Sequence, residues 1–284
     1  MSFFSPTKQN TFVIIVTYNP DNRLSESVSS IENIFDNIVI VDNNSTADIR
    51  ALVNNRNLYL IKNEENFGIA KALNIGADYA INKAAEWILM LDQDTIPRHD
   101  ILEIFKSIYS QYNFKNRIGQ IGLSIPQLYT KNIPFKEVNV LITSGTLLSL
   151  RIFKEVGSFR EDFFIDSVDF EYSLRIRKKG YVNLQSPEFG IDHQIGNTRV
   201  KKIWFLTISS SNHSPLRRYY MARNHSILSI QYFFSFPIWI LKKNLVMVQI
   251  LLQMIIVDDQ KFLKIKNTFN GFVAGILNYH LGKK

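Results

Sequence analysis

The chain has 284 residues, a length that suits one large domain or two small ones. Apolar residues make up 46% of it, which excludes wholesale disorder, and the absence of cysteine excludes disulfides, zinc–thiolate sites and cysteine nucleophiles together. The net charge of +8 is uneven: residues 1–198 carry 20 Lys and Arg against 23 Asp and Glu, whereas residues 199–284 carry 13 against 2.

Four short apolar runs lead the chain. Phe12 to Val16 ends in Thr17-Tyr18-Asn19-Pro20, Ile38 to Val41 ends in Asp42-Asn43-Asn44-Ser45, Leu58 to Ile61 follows, and Trp87 to Leu91 ends in Asp92-Gln93-Asp94. Continuous apolar strands of this kind are buried on both faces, so they predict a parallel sheet covered by helices. Helix-sized segments separate them. Ser45 or Thr46 is a candidate cap for the first, and Gly68 to Lys83 reads as another. A helix over Asp100 to Tyr112 and a strand near Ile118 to Ile125 come next. The fold class is therefore α/β, with right-handed crossovers and ligands expected beyond the carboxyl ends of the strands. Neither a dinucleotide fingerprint nor a P-loop is present.

The polar clusters lie where those strands end. Asp92 and Asp94 stand at i and i+2, so both carboxylates face one side. Two hard oxygen ligands suit Mg²⁺ or Mn²⁺, whose other positions go to water and phosphate oxygens. An acidic turn before Pro97 is the plainer alternative. Asp42 is placed to accept from a pyrimidine N3–H, or else to cap a turn. In Asn66-Phe67-Gly68-Ile69-Ala70-Lys71-Ala72-Leu73-Asn74, Gly68 sits at a helix start suited to phosphate, Lys71 is within reach of a diphosphate, and Asn74 lies about two turns on. Asp166 to Glu171 opens a helix whose Val168, Tyr172 and Ile176 fall on one face. Asp169, in its first turn, is a candidate general base, and capping is the alternative role for Asp166 and Asp169. His193 has no H-x-x-x-H partner and is either structural or a further metal or diphosphate ligand.

In the C-terminal part, Ile227 to Leu241 and Leu245 to Val257 are apolar runs separated by Lys242-Lys243-Asn244. Neither reaches the ~17–20 residues of a membrane span. They predict two interfacial helices, with Trp239 at the lipid headgroups and basic residues on anionic lipid. A homodimer interface is the other use of such a surface. Because the basic residues interleave with apolar runs, no nucleic-acid partner is expected. The N-terminus lacks a secretory pattern, which points to the cytoplasm, at the inner face of the membrane.

Taken in order, TYN, VDNNS, NFGIAKALNIG, LMLDQDTIP, TSGTLLSLR, FFIDSVDFEYSLRIRKKGY and DHQIG resemble the inverting family 2 glycosyltransferases of the GT-A fold, from about Thr11 to Gly196. The resemblance implies a nucleotide-sugar-binding catalytic domain over 1–198 and a helical extension over 199–284. It implies that Thr17, Tyr18, Asn19, Asp42 and Asn44 hold the nucleoside. Asn66, Gly68, Lys71, Asn74, Asp92 and Gln93 line the rest of the donor site. Asp94 binds the metal, with Asp92 and His193 as further ligands. Ser144, Gly145 and Glu171 border sugar and acceptor, and Asp169 is the base. Where many members have Glu-Asp, Val168 precedes Asp169 here, which leaves no second carboxylate at 168. Gln93, FFIDSVDFEYSLR and His213-Ser214-Pro215-Leu216-Arg217-Arg218-Tyr219-Tyr220 with Arg223-Asn224 resemble the bacterial rhamnosyltransferases, which implies dTDP-L-rhamnose as donor and a lipid-linked saccharide acceptor. A UDP-hexose donor, or a catalytically silent nucleotide-sugar-binding or glycan-binding subunit, are the rival expectations.

Overall fold

The computed structural model describes residues 4–53, 58–124, 135–192, 199–204 and 206–281. The chain forms two compact units, one of Met1–Phe164 with Val168–Gln194 and one of Ile165–Ser167 with Ile195–Lys284.

In the first unit, β1 (Thr11–Thr17), β2 (Asn37–Asp42), β3 (Leu58–Lys62) and β4 (Trp87–Asp92) alternate with α1 (Arg23–Ile31), α2 (Ile49–Leu52) and α3 (Gly68–Asn82). Then come β5 (Ile96–Pro97), α4 (Ile101–Gln111), β6 (Ile118–Ser124), β7 (Lys136–Val138), β8 (Thr146–Ser149), α5 (Leu150–Val156), α6 (Val168–Lys178), β9 (Val182–Phe189) and β10 (Ile191–Asp192). The main sheet has the order β3-β2-β1-β4-β8-β6-β9-β7. Its first four strands are parallel, and β8 runs antiparallel to β4 and β6. The apolar runs of β1, β2 and β4 are buried almost throughout, as strands covered on both faces must be. β3 departs from that expectation. It is the edge strand, and Tyr59 is exposed.

One expected helix cap is also corrected. Asp48, not Ser45 or Thr46, caps α2 by accepting from the amides of Arg50 and Ala51. Both oxygens of Asp166 accept from Arg217. The apolar face of α6 is as expected, with Val168, Tyr172 and Ile176 buried.

The second unit opens with an antiparallel hairpin, β11 (Arg199–Ile203) and β12 (Leu206–Ser210), where only helix was expected. Three long helices follow: α7 (Pro215–Tyr232), α8 (Pro237–Val257) and α9 (Lys261–Leu281). Ser214 accepts from the Arg217 amide and Pro215 occupies the first turn, a strong helix start. Buried Asp258 accepts from Arg218 at 2.9 Å and from Lys264 at 3.0 Å, joining the two ends of this unit. Burial pushes the Asp258 carboxyl up, but hydrogen bonds from Ser210, Lys264 and Arg218 outweigh it and hold the group below its ordinary range.

The break between the apolar runs does not fall at Lys242-Lys243. Helix α8 passes through both lysines as one 21-residue element, long and apolar enough by length and composition to cross a membrane. The interruption lies at Phe233 to Phe236, before Pro237. Proline is favoured in a first helical turn and disfavours helix in the residue before it, whereas lysine is a good helix former.

Candidate active site

Strand register brings the site together. Thr17 lies beside Asp42 across β1 and β2, and Val16 lies beside Asp92 across β1 and β4. All three strand ends therefore open on one edge. Asp42 is buried. It accepts from the Thr17 hydroxyl at 3.0 Å, from the Ser45 amide at 3.0 Å and from the Ser45 hydroxyl. The Ser45 oxygen in turn accepts from the Asn19 amide at 2.8 Å, and Asn19 accepts from the Thr46 amide at 2.9 Å. Asn19 and Asn44 have φ of 46° and 64°, a left-handed backbone that asparagine tolerates better than most residues. The two turns are thus one hydrogen-bonded body, with Tyr18 exposed at its rim.

Gln93 ties the acidic turn to this body, because its Oε1 accepts from the Tyr18 amide at 2.8 Å. Arg23 donates to the Asp94 carbonyl at 3.1 Å. The Asp92 amide donates to the Ser144 hydroxyl at 3.0 Å, and that hydroxyl donates to Thr95 at 2.7 Å. The Gly145 amide donates to the Met90 carbonyl at 2.9 Å. Ser144 and Gly145 are therefore fastened to the end of β4. Asp92 and Asp94 are both half-buried. Two such oxygen-donor groups fit Mg²⁺ or Mn²⁺, which keep several water or phosphate ligands. Among the described residues, no group of three or more His, Asp or Glu side chains is gathered for a metal. His193 lies outside the described residues.

Around α3 the outcome is divided. Asn66 accepts from the Gly68 amide at 3.0 Å, and Lys71 lies 3.9 Å over the Phe67 ring. Gly68 has φ +82°, and a Cβ there would meet the Phe164 carbonyl oxygen at 2.5 Å. The close approach lets the Ile69 amide donate to that same oxygen at 2.7 Å. Asn74, by contrast, is buried and turned into the protein. Its Oδ1 accepts from the Phe159 amide at 2.9 Å, while Nδ2 donates to the Phe159 carbonyl at 3.0 Å and to Glu161 at 3.1 Å. Glu171 is likewise buried, and accepts from Arg175 at 2.8 Å. Both side chains thus bond to other groups of the protein. Asp169 is half-buried at the start of α6, where one oxygen accepts from the Phe170 amide at 2.9 Å.

Several participants are not among the residues the sequence predicts for the site. Ser45 and Thr95 carry hydroxyls inside motifs already noticed, so their position next to a strand end was the available signal. Asn63 donates to Asn43 at 2.9 Å, and Asn43 donates to the Gly68 carbonyl at 3.2 Å, linking the turn after β2 to the end of β3 and the start of α3, 20 to 25 residues on. No local pattern announces such a link.

The fold is similar to that of solved structures. S. aureus TarS, residues 1–349, superposes with a TM-score of 0.53 at 16% identity, covering 96% of this chain and 72% of that one. A GalNAc-T7 structure with UDP, GalNAc and Mn²⁺ gives 0.52 at 17% identity, covering 62% of this chain and 42% of that one. The fold is the GT-A fold of the glycosyltransferases. The sequence model of glycosyl transferase family 2 matches residues 12–156. The chain is also 33% identical over 239 residues to the dTDP-rhamnosyl transferase RfbF of Shigella flexneri, covering 77% of this chain and 79% of the relative. A low-salt glycan biosynthesis hexosyltransferase of Haloferax volcanii is 26% identical over 191 residues, covering 59% of this chain and 61% of the relative. The chain belongs to glycosyl transferase family 2 and is a glycosyltransferase.

Proposed function

We propose that this enzyme transfers L-rhamnose from dTDP-L-rhamnose to a hydroxyl of a growing bacterial surface polysaccharide, with inversion at the anomeric carbon. The observation that carries the donor is the 33% identity, over most of both chains, to a dTDP-rhamnosyl transferase. The joined turns of Thr17–Asn19 and Asp42–Ser45 supply a preformed polar seat for the nucleoside, with Asp92 and Gln93 beside it. Asp94, with Asp92, would hold Mg²⁺ or Mn²⁺. A bound divalent ion neutralises charge that develops on the departing diphosphate. Asp169 accepts the proton of the acceptor hydroxyl. The hydroxyl oxygen then forms its bond to the anomeric carbon from the face opposite the leaving group. The bond from that carbon to the phosphate oxygen breaks, and the nucleoside diphosphate leaves with the electron pair.

The donor test is direct competition. Purified enzyme with Mg²⁺ should consume dTDP-L-rhamnose faster than UDP-glucose, UDP-galactose or UDP-GlcNAc, and faster turnover of a UDP-sugar overturns the rhamnose reading. Asp169→Asn cannot accept the proton and should lose ~10²–10⁴-fold in kcat with donor binding kept. Wild-type turnover would reduce Asp169 to a helix cap. NMR of the product should show the anomeric configuration opposite to the donor's.

We also propose that the second unit rests on an anionic membrane surface, at the cytoplasmic face, next to a lipid-linked acceptor. Support comes from the 13 Lys and Arg against 2 Asp and Glu over 199–284, and from exposed apolar side chains on α8 and α9 such as Leu245 and Phe262. Fully burying a leucine is worth ~1.5–3 kcal/mol, and Leu245 and Leu252 are each more than half exposed. Leu245→Glu with Leu252→Glu should therefore reduce partition onto phosphatidylglycerol vesicles at least ~10-fold with little change in Tm. Unchanged partition removes α8 from the contact, and a concentration-dependent dimer abolished by the same changes favours self-association instead.

A further inference from the structure

The motif His213-Ser214-Pro215-Leu216-Arg217-Arg218-Tyr219-Tyr220, with Arg223-Asn224, has no part in the chemistry above. Two of its side chains, Arg217 and Asn224, are seven residues apart on α7 and so share one face of that helix. Both bond within the tripeptide Ile165–Ser167, Arg217 to Asp166 and Asn224 to Ile165 and Asp166. Arg217 donates through Nε and Nη2 to the two Asp166 carboxylate oxygens, each at 3.0 Å. Asn224 is fully buried, and its Nδ2 donates to the carbonyls of Ile165 and Asp166, each at 2.9 Å. Arg223 donates to the Asn224 Oδ1 at 3.1 Å. An arginine has only donors, so this contact fixes which end of the Asn224 amide faces the tripeptide.

What is gripped is an unusual piece of backbone. Asp166 and Ser167 have φ of +64° and +62°, so two consecutive residues with a Cβ are held in the left-handed region. That region is unfavourable for such residues and persists only where the surroundings enforce it. The bidentate Arg217 pair and the Asn224 amide are enforcing contacts of the right kind. Ser167 is followed at once by Val168, the first residue of α6, and Asp169 is the second. Asp169 therefore lies three residues after Asp166 and two after Ser167, in the helical turn into which the gripped link leads.

We infer that Arg217 and Asn224 are positioning residues, which hold the strained Asp166–Ser167 link so that the Asp169 carboxylate meets the acceptor hydroxyl. The inference rests on Asp169 being the general base. Neither side chain is asked to touch the donor, the acceptor or a metal. Displacement of a reacting group by about 1 Å costs up to ~10²-fold in rate, so loss of the grip should appear chiefly in kcat.

The test is a double-mutant cycle on the full chain, with saturating donor and acceptor and with dTDP binding measured separately. Arg217→Ala should lower kcat by ~10–100-fold, leaving the dTDP Kd within about twofold. Arg217→Lys keeps a charge but not the two-point grip, and should fall in between. In the Asp169→Asn background, Arg217→Ala should cost almost nothing further, because a base that is absent cannot be misaimed. The same fold-loss in both backgrounds would overturn the inference and make Arg217 merely structural. Wild-type kcat in Arg217→Ala would overturn it as well. If Asp169→Asn alone retains wild-type turnover, the base reading fails by itself, visibly before the cycle is closed. Should Arg217→Ala not fold, Arg217→Lys and Asp166→Asn carry the same cycle, since each keeps the size of the side chain while weakening the pair.

Discussion

Asn74 separates two roles that look alike in a sequence. It follows Gly68 by six residues on α3, where a donor contact was expected, yet its amide closes a two-way bond with the backbone of Phe159. Asn74→Ala removes an acceptor from the Phe159 amide and a donor from the Phe159 carbonyl, in a setting where both residues are buried. Leaving one buried backbone group unsatisfied costs ~1–3 kcal/mol, and the carbonyl suffers less because it has a second lone pair. The third bond, to exposed Glu161, adds little. The expected loss is therefore ~2–4 kcal/mol, which at ~2–4 °C per kcal/mol for a domain of this size lowers Tm by roughly 5–15 °C. Urea unfolding and calorimetry measure the first effect, and initial rates well below the transition measure the second. The donor KM should stay within about threefold of wild type, because the amide is committed to the Phe159 backbone. A tenfold rise in donor KM at unchanged Tm would refute this reasoning and return Asn74 to the donor site.

Asp94→Ala, or excess EDTA on the wild-type enzyme, should lower kcat at least ~10²-fold, since electrostatic relief of the diphosphate is worth several kcal/mol. Undiminished activity in EDTA overturns the metal role. Gly68→Ala places a Cβ 2.5 Å from the Phe164 carbonyl oxygen at a φ of +82°. The left-handed alanine costs ~1–2 kcal/mol, and displacing Phe164 from the Ile69 amide costs ~0.5–1.5 kcal/mol more, so Tm and kcat should fall together; a silent substitution refutes the close approach. Burial, then the charge of Arg217, holds the His213 imidazole down at about 4, against an ordinary value of 6.5. The unfolded chain therefore takes up this proton first, and the stability present above about pH 6.5 is lost as pH falls towards 4. Tm should drop between about pH 7 and 5, less steeply in His213→Gln, and equal slopes in the two proteins contradict the assignment.

How much of this was legible depended on whether a residue's neighbours are close in sequence. β1, β2 and β4 announce themselves because a central parallel strand needs apolar side chains on both faces, and Phe12 to Val16, Ile38 to Val41 and Trp87 to Leu91 supply them. The half of the sheet formed by β8, β6, β9 and β7 is a pairing of segments far apart in the chain, out of sequence order, and no local period encodes it. The site divides in the same way. The positions of Thr17, Asp42 and Asp92 at strand ends follow from the runs before them. That Gln93 serves the Tyr18 amide, 75 residues away, does not. Asn74 and Glu171 show a related limit: a polar residue on a helix looks the same in a sequence whether it faces a ligand or bonds inside the protein, as Asn74 does to Phe159 and Glu171 to Arg175.

The C-terminal helices show a different limit. Counting apolar residues treats Lys242-Lys243 as an interruption, because charge is costly in hydrocarbon. Helix formation obeys another rule: lysine has high propensity, and proline is admitted only in the first turn, so Pro237 starts α8 and both lysines lie inside it. Length alone would then allow α8 to cross a bilayer. Yet Lys242 and Lys243 are its sixth and seventh residues, about 8–9 Å from its start at 1.5 Å per residue, and a crossing helix would carry them into or near the hydrocarbon. The exposed apolar side chains Ile238, Leu241, Leu245, Val248, Leu252 and Ile255 recur at alternating steps of three and four, which puts them on one stripe. Lys242 and Gln249, seven apart, run alongside that stripe as a partly polar edge, with exposed Val246 between them. A stripe with such an edge suits a boundary between apolar and polar surroundings, where the stripe is covered and the lysines stay wet, and this favours α8 lying along a surface over α8 crossing it.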